Sequence, residues 1–286
     1  MCSVNFFTTE YKKLTKVLLS PPDYLSIQNP LNVIAQKNKE MGLTVNIKEA
    51  KKEHKEFVDV FNSYGVEVLL GETRKECVES LYARDLGVAS KKGIIFGRFL
   101  EPARWGEHRL IEDVLYKNNI PVFYKLDRGN FEGGDFVYID DMTAAVGVGP
   151  RTDMLGFKAL QMQLYDIELN LIPVKIEKEY LHLDKILNVI AENLAIICLK
   201  ALPENLIKLL KKRNFTFIEV SSEEVFNEAC NLINIGQDTI FSHPGAEKVN
   251  KRLKTMGFNV EILNFKEVFK GGGGLRCMSF PLLSDG

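Results

Sequence analysis

Five groups of residues in this chain of 286 could do chemistry. Gly271-Gly272-Gly273-Gly274 runs into Leu275-Arg276-Cys277-Met278-Ser279. Four glycines in a row are costly inside a helix or strand, but they let backbone turn or approach a neighbour closely. A thiol beside such backbone and a cation could be held as the nucleophilic thiolate. The alternative is a free core cysteine on a terminal strand. Gly129-Asn130-Phe131-Glu132-Gly133-Gly134-Asp135 sets carboxylates around two glycines ahead of a strand. That is either a structural turn or a carboxylate placed to orient another group. In Tyr180-Leu181-His182-Leu183-Asp184 an extended backbone projects His182 and Asp184 to one face. Such a pair suits a general acid/base beside a cation-binding carboxylate, or is an ordinary surface pair. Arg84-Asp85 is the fourth group, a dipeptide common on surfaces. Arg104 and Arg151, at the heads of expected helices, form the fifth; each is a solvated helix end or a planar anion grip. The remaining histidines, His54, His108 and His243, read as surface residues, and none has the H-E-x-x-H spacing.

The elements that must position these groups alternate between short strands and amphipathic helices. Strands are expected at Lys16 to Leu19, Val66 to Leu70, Pro121 to Tyr124, Leu169 to Val174, Phe215 to Val220 and Val260 to Leu263, with a terminal strand carrying Cys277. Hairpins are expected around Lys91-Lys92-Gly93, at Asp140-Asp141, and between Ile186 to Ile190 and Ala195 to Leu199; Leu232 to Ile235 and Thr239 to Ser242 form a further pair. Helices are expected at Ile47 to Tyr64, Arg104 to Asn118, Asp153 to Leu164, Pro203 to Arg213 and Gly245 to Met256. Short helices are expected at Cys77 to Leu81 and after the Ser221 cap. Strand pairs and single helices recur about every 50 to 60 residues, the scale of an internal structural repeat. No Pro/Ser-rich linker divides the chain, which reads as one domain over 1–286.

Composition narrows the function. Hydrophobic residues are 45% and charged residues 26%, ordinary for a globular protein. The net charge of −1 offers no basic field for nucleic acid or an anionic membrane. No apolar run suits a signal peptide or a membrane span; Leu194 to Leu199 is at most a buried strand. The five cysteines (2, 77, 198, 230 and 277) are scattered and lack C-x-x-C spacing, so no zinc site or disulfide framework is indicated and a reducing cytoplasm is expected.

Taken in order, Arg84-Asp85, Phe131-Glu132-Gly133-Gly134-Asp135, His182-Leu183-Asp184 and the glycine-rich segment with Arg276-Cys277-Met278-Ser279 resemble the guanidino-modifying enzymes. These are the arginine deiminases, dimethylarginine dimethylaminohydrolases and amidinotransferases. The resemblance runs from about Lys16 to Leu282. It implies an α/β propeller, the pentein fold, with five ββαβ-type repeats in a pseudo-fivefold arrangement. It also implies Cys277 as nucleophile, His182 as general acid/base and Glu132 as its orienting carboxylate. Asp85 and Asp184 would hold the guanidinium, and Arg104 and Arg151 an α-carboxylate; Asp135 would be structural. The expected activity is hydrolysis of arginine or an N-substituted arginine through a covalent S-amidino adduct, giving a citrulline-like product without metal or cofactor. Amidino transfer to an amine is the alternative, and a non-catalytic binding propeller the alternative of another class. A small guanidino compound is the expected partner, and homo-oligomerisation is compatible with the sequence.

Overall fold

The structure, a computed structural model, describes residues 5–285, so Cys2 lies outside the described residues. It contains five separate three-stranded sheets, each with the same internal order. In sequence order β3 (Gly87–Ser90), β4 (Gly93–Phe96) and β5 (Val122–Lys125) form one sheet. β6 (Phe136–Asp140), β7 (Thr143–Val148) and β8 (Asn170–Lys175) form the next. They are followed by β9 (Leu187–Ala191), β10 (Leu194–Ile197) and β11 (Thr216–Glu219), then β12 (Ile233–Asn234), β13 (Thr239–Ser242) and β14 (Asn259–Ile262). In each sheet the first two strands are an antiparallel hairpin and the third pairs parallel to the second. A parallel partner needs a crossover. The crossovers are the helices α3 (Arg109–Lys117), α4 (Met154–Leu164), α5 (Glu204–Lys212) and α7 (Glu247–Thr255). The short α6 (Ser222–Phe226), opened by a Ser221/Glu224 capping box, links two units.

The fifth sheet joins the two ends of the chain. β15 (Ser279–Ser284) pairs antiparallel with β1 (Leu14–Leu19), and β1 pairs parallel with β2 (Glu67–Leu70). Between β1 and β2 run α1 (Val33–Glu40) and α2 (Ile47–Ser63). α2 presents Ala50, His54, Phe57 and Phe61 inward at helical spacing, over Phe241 and Phe265.

Burial grades outward through each sheet. The hairpins of β3–β4 and β9–β10 are almost wholly buried, whereas β2, β5 and β11 show the alternating pattern of a strand with one wet face. First strands of neighbouring sheets pack together: β15 on β3, β6 on β9 and β9 on β12. The turns that lead into those strands are thereby gathered in one place.

Several local expectations are corrected. Cys77 to Leu81 forms turns and not a helix, and the following 3-10 turn is Ala83–Leu86. Arg104 lies in the 3-10 turn Pro102–Arg104, and Arg151 in a bend ahead of α4, so neither heads an α-helix. Cys277 sits in the turn before β15 and not in the strand. His54 and His243 are buried and His108 is half-buried. His54 falls on the core face of α2; His108 packs against Phe96 and Phe99, and His243 against Phe269. Burial holds the imidazoles of His54 and His108 down at about 4, so both are neutral spacers at pH 7.

Candidate active site

Each lead-in turn contributes to one polar cluster. Asp85 comes from the turn before β3, Glu132 and Asp135 from that before β6, and His182 and Asp184 from that before β9. Asn231 precedes β12 and Cys277 precedes β15. The five repeats therefore bring residues far apart in sequence to equivalent corners. Cys277, His182, Asp85, Arg104 and Arg151 line one cavity with Asn32, Glu79, Tyr82 and Lys185. The cavity holds about 20 Å³, room for a water molecule. A larger surface cleft of about 330 Å³, lined by Phe99, Trp105 and Arg109, contains none of the expected site residues.

The glycine run is explained by what surrounds it. A Cβ on Gly271 or Gly273 would strike the Tyr82 ring, one on Gly272 the Asn32 amide and one on Gly274 the Asn231 amide. Gly272 also has φ +87, a left-handed backbone open to glycine. Asn32 Nδ2 donates to the Gly271 carbonyl at 2.8 Å, and Lys185 Nζ to the Gly272 carbonyl at 2.8 Å. Asn231 clasps the cysteine itself: its Nδ2 donates to Sγ at 3.0 Å, and its Oδ1 accepts the Cys277 N–H at 3.0 Å. The Cys277 carbonyl accepts the Arg84 N–H at 3.0 Å.

His182 faces a carboxylate at each ring nitrogen, hydrogen-bonded at one of them. Nε2 lies 3.0 Å from Glu132 Oε2, and Nδ1 lies 3.6 Å from Asp85 Oδ1. Burial opposes a charged imidazole, but the Asp85 charge and the Glu132 hydrogen bond outweigh it, raising His182 to about 9. Glu132 is fully buried; burial pushes its carboxyl up, yet the bond from His182 and the charges of His182, Arg151 and Arg104 hold it well below its usual range. The pair is an imidazolium and a carboxylate. Asp135 accepts the Thr152 hydroxyl at 2.6 Å and the Leu183 N–H at 3.0 Å, tying two lead-in turns together.

The two arginines expected to grip an anion are committed to protein groups. Arg104 donates through Nη1 to Asp85 at 2.6 Å and through Nε and Nη2 to Glu107 at 3.0 and 2.8 Å, with Nη2 also on the Tyr82 carbonyl at 3.3 Å. Arg151 Nη1 lies 3.3 and 3.4 Å from the Glu132 oxygens, and its Nη2 donates to the Leu31 carbonyl at 2.7 Å. Asp85, Glu132 and His182 place ligand atoms within 4.8 Å of one another, close enough for a cation. The guanidinium of Arg104, 2.6 Å from Asp85 and 3.8 Å from Glu132, supplies positive charge there.

Asp184 differs from Asp85, Glu132 and Asp135 in its hydrogen bonding. Its exposure is 0%, and neither oxygen has a hydrogen-bond partner among the described residues. Asp85 Oδ1 is likewise unpartnered. Arg276 Nε approaches Asp184 at 3.4 Å but is otherwise turned away, paired through both Nη atoms with the buried Glu10 at 2.7 and 3.0 Å. Burial, then the Asp184 charge, pushes the Cys277 thiol up; Lys185 opposes them. The resting group is a thiol.

A family profile described as "N,N dimethylarginine dimethylhydrolase, eukaryotic" matches residues 21–284. The chain belongs to this family. Within the guanidino-modifying superfamily it is 34% identical over 275 residues to the uncharacterised protein YkgA of Bacillus subtilis, covering 96% of this chain and 94% of that one. The fold is shared with the N-terminal domain of ArgZ, a cyanobacterial arginine dihydrolase, at a TM-score of 0.83 and 18% identity, covering 96% and 98% of the two chains. It is shared equally with SxtG, an amidinotransferase from Microseira wollei, at a TM-score of 0.83 and 18% identity, covering 100% and 98%. The five sheets fit the pseudo-fivefold arrangement of these relatives.

Sequence reasoning missed Asn231, Lys185, Glu228, Glu10 and Asn32. Lys185 directly follows the His182-Leu183-Asp184 motif and the others lie outside any motif; each is marked only by a long-range contact, Asn32 and Lys185 with the glycine segment, Asn231 with Cys277, Glu228 with Lys185 and Glu10 with Arg276.

Proposed function

We propose that the protein is a cysteine hydrolase acting on the guanidino group of arginine or an N-substituted arginine, with the repeats closed into a propeller around the site. The observation that carries this reading is a set of buried carboxylate oxygens that receive no hydrogen bond: Asp85 Oδ1, faced only by His182 at 3.6 Å on the cavity that Cys277 lines, and both of Asp184, behind that wall and faced only by Arg276 at 3.4 Å. A buried acceptor without a donor is costly, and a planar, multiply donating cation is the ligand that satisfies several at once. Guanidinium has that shape and charge. Arriving next to Cys277, it also favours the thiolate that burial disfavours in the empty site.

With His182 already protonated, the Cys277 thiol proton leaves to solvent as the guanidinium enters; the thiolate sulfur then attacks the central carbon, forming a C–S bond. His182, as imidazolium, gives its proton to the departing nitrogen as the C–N bond breaks, leaving an S-amidino adduct and a neutral imidazole. That imidazole takes a proton from water as the water oxygen attacks the same carbon. The C–S bond then breaks, releasing the ureido product and the thiolate, and the surplus proton leaves with the amine as ammonium. Glu132 keeps His182 oriented throughout and favours its charged form at the start and end of the cycle. Arg151 reaches an α-carboxylate by exchanging the Leu31 carbonyl for it, with Arg104 behind it. Because the closed cavity holds only a water, the Leu31–Asn32 segment moves to admit substrate.

The test is an end-point assay on arginine, methylated arginines, agmatine and guanidino acids, with and without an acceptor amine. Ureido product without acceptor is expected; product only with acceptor would make the enzyme an amidinotransferase. Cys277→Ser should lose turnover by at least about 10³-fold while retaining ligand binding. Persistent turnover in that variant would overturn the covalent route. Silence across the panel with an inert Cys277 would favour a binding protein.

A further inference from the structure

We propose that Lys185 tunes the reactivity of Cys277: its ammonium, locked by Glu228 onto the Gly272 carbonyl, is a cation the fold holds on the wall of the cavity that Cys277 lines. This rests on the reading of Cys277 as the nucleophile.

Lys185 is 5% exposed and follows Asp184 in the turn before β9. Its Nζ makes an ion pair with Glu228, itself 5% exposed, and donates to the Gly272 carbonyl at 2.8 Å. Gly273, the next residue, lies against the Cys277 side chain, where an added Cβ would stand 3.1 Å from the cysteine Cβ. Lys185 therefore touches the loop that forms one side of the nucleophile's seat, and it lines the same cavity as Cys277.

The His182 imidazolium shares the cavity but is held between Glu132 and Asp85, and the arginines near the sulfur are paired or directed elsewhere. Arg276 is clamped by Glu10, Arg104 by Asp85 and Glu107, and Arg151 by Glu132 and Leu31. Arg84 is directed to a separate recess lined by Phe7, Glu10 and Tyr138. The anions acting on Cys277 are Asp184, Glu228 and Asp85, contributed by three different lead-in turns or their neighbours; Lys185 is the foremost cation opposing them, and Arg84 and Arg276 also act on the sulfur. The ion pair is thus a two-way setting: its positive half favours the thiolate and its negative half opposes it. Glu228 Oε2 has no hydrogen-bond partner among the described residues, so its charge is not dissipated by other donors.

The experiment is alkylation of Cys277 by iodoacetamide as a function of pH, read by mass spectrometry of the peptide that carries it. It needs no substrate, so an inactive result in the guanidino panel leaves it untouched. Lys185→Met should move the inflection up by about one pH unit and slow alkylation below it about tenfold. Lys185→Arg should behave like the parent, whereas Lys185→Gln, which can still donate to Gly272 but carries no charge, should behave like Met. Glu228→Gln should move the inflection down. An unmoved inflection in Lys185→Met, rescue by Gln equal to that by Arg, or an upward or absent shift in Glu228→Gln would each overturn the proposal. Should Lys185→Met fail to fold, the comparison of Lys185→Arg with Lys185→Gln decides.

Discussion

Glu132 and Asp184 occupy corresponding corners of two consecutive repeats, and both are 0% exposed. Their surroundings are opposite. Glu132 receives His182 Nε2 at 3.0 Å and Arg151 Nη1 at 3.3 and 3.4 Å, with Arg104 at 3.8 Å. Asp184 receives no hydrogen bond, and burial pushes its carboxyl above the ordinary range against the pull of Arg276. Burial alone does not decide the charge of a carboxylate; the donors aimed at it do. In the function proposed above, the fully supplied carboxylate orients the acid/base and the unsupplied one receives the guanidinium.

Three measurements break or sharpen this contrast. The largest effect is expected from Glu132→Gln. Removing one partner of a buried, hydrogen-bonded pair costs about 3–5 kcal/mol, and losing the oriented acid/base should lower kcat by about 10²- to 10⁴-fold. Urea unfolding and single-substrate kinetics read both; a variant as stable as the parent would show that Glu132 is not engaged as described. Next is Asp184→Asn. It should weaken substrate binding about 10- to 100-fold, the worth of one or two charge-assisted hydrogen bonds, while leaving the empty protein's stability unchanged or raised. Equal destabilisation in the two variants would erase the difference between the corners.

The smallest effect is in the pH dependence of stability. His182 is raised from 6.5 to about 9, so its contribution is complete below 6.5 and is lost as pH climbs through about 9. Glu132 is lowered from 4.5, so its contribution is complete above 4.5 and fades as pH falls. Asp184 is raised from 3.8, so protonating it on acidification adds stability and offsets part of the Glu132 loss. Asp184→Asn removes that offset, and its stability should fall more steeply in acid than the parent's. Parallel acid limbs would mean that Asp184 does not titrate as its surroundings require.

Local pattern carried much of the fold. The hairpin at Lys91-Lys92-Gly93, the Asp153 cap of α4 and the Ser221 capping box are all readable from neighbouring residues, and the structure places elements there. Short range also misled. Cys77 to Leu81 has apolar ends but forms turns, and Arg104 sits ahead of its helix because Pro102 starts a 3-10 turn first. His54 looked wet among lysines and glutamates, yet its spacing from Ala50, Phe57 and Phe61 puts it on the buried face of α2. The motif order disclosed the family, but nothing near Asn231 or Lys185 announces a partner at Cys277 or Gly272, because those contacts join residues brought together by the repeats. For the same reason the ion pairs that occupy Arg104 and Arg151 were invisible: guanidinium commitments depend on what the other corners present.

The sheet that joins the two ends of the chain has a consequence for how the molecule forms. β1 and β15 pair Leu19 with Ser279 and Leu14 with Ser284, so the chain between paired residues is nearly the whole polypeptide. The other four sheets each begin from a tight hairpin, closed over a few residues. Closing the long loop costs about 3 kcal/mol more chain entropy than closing a ten-residue one. Cys277 lies at the mouth of that closure, ahead of β15. The seat of the sulfur is thus tied to the least local pairing in the topology, the contact a folding chain finds slowest.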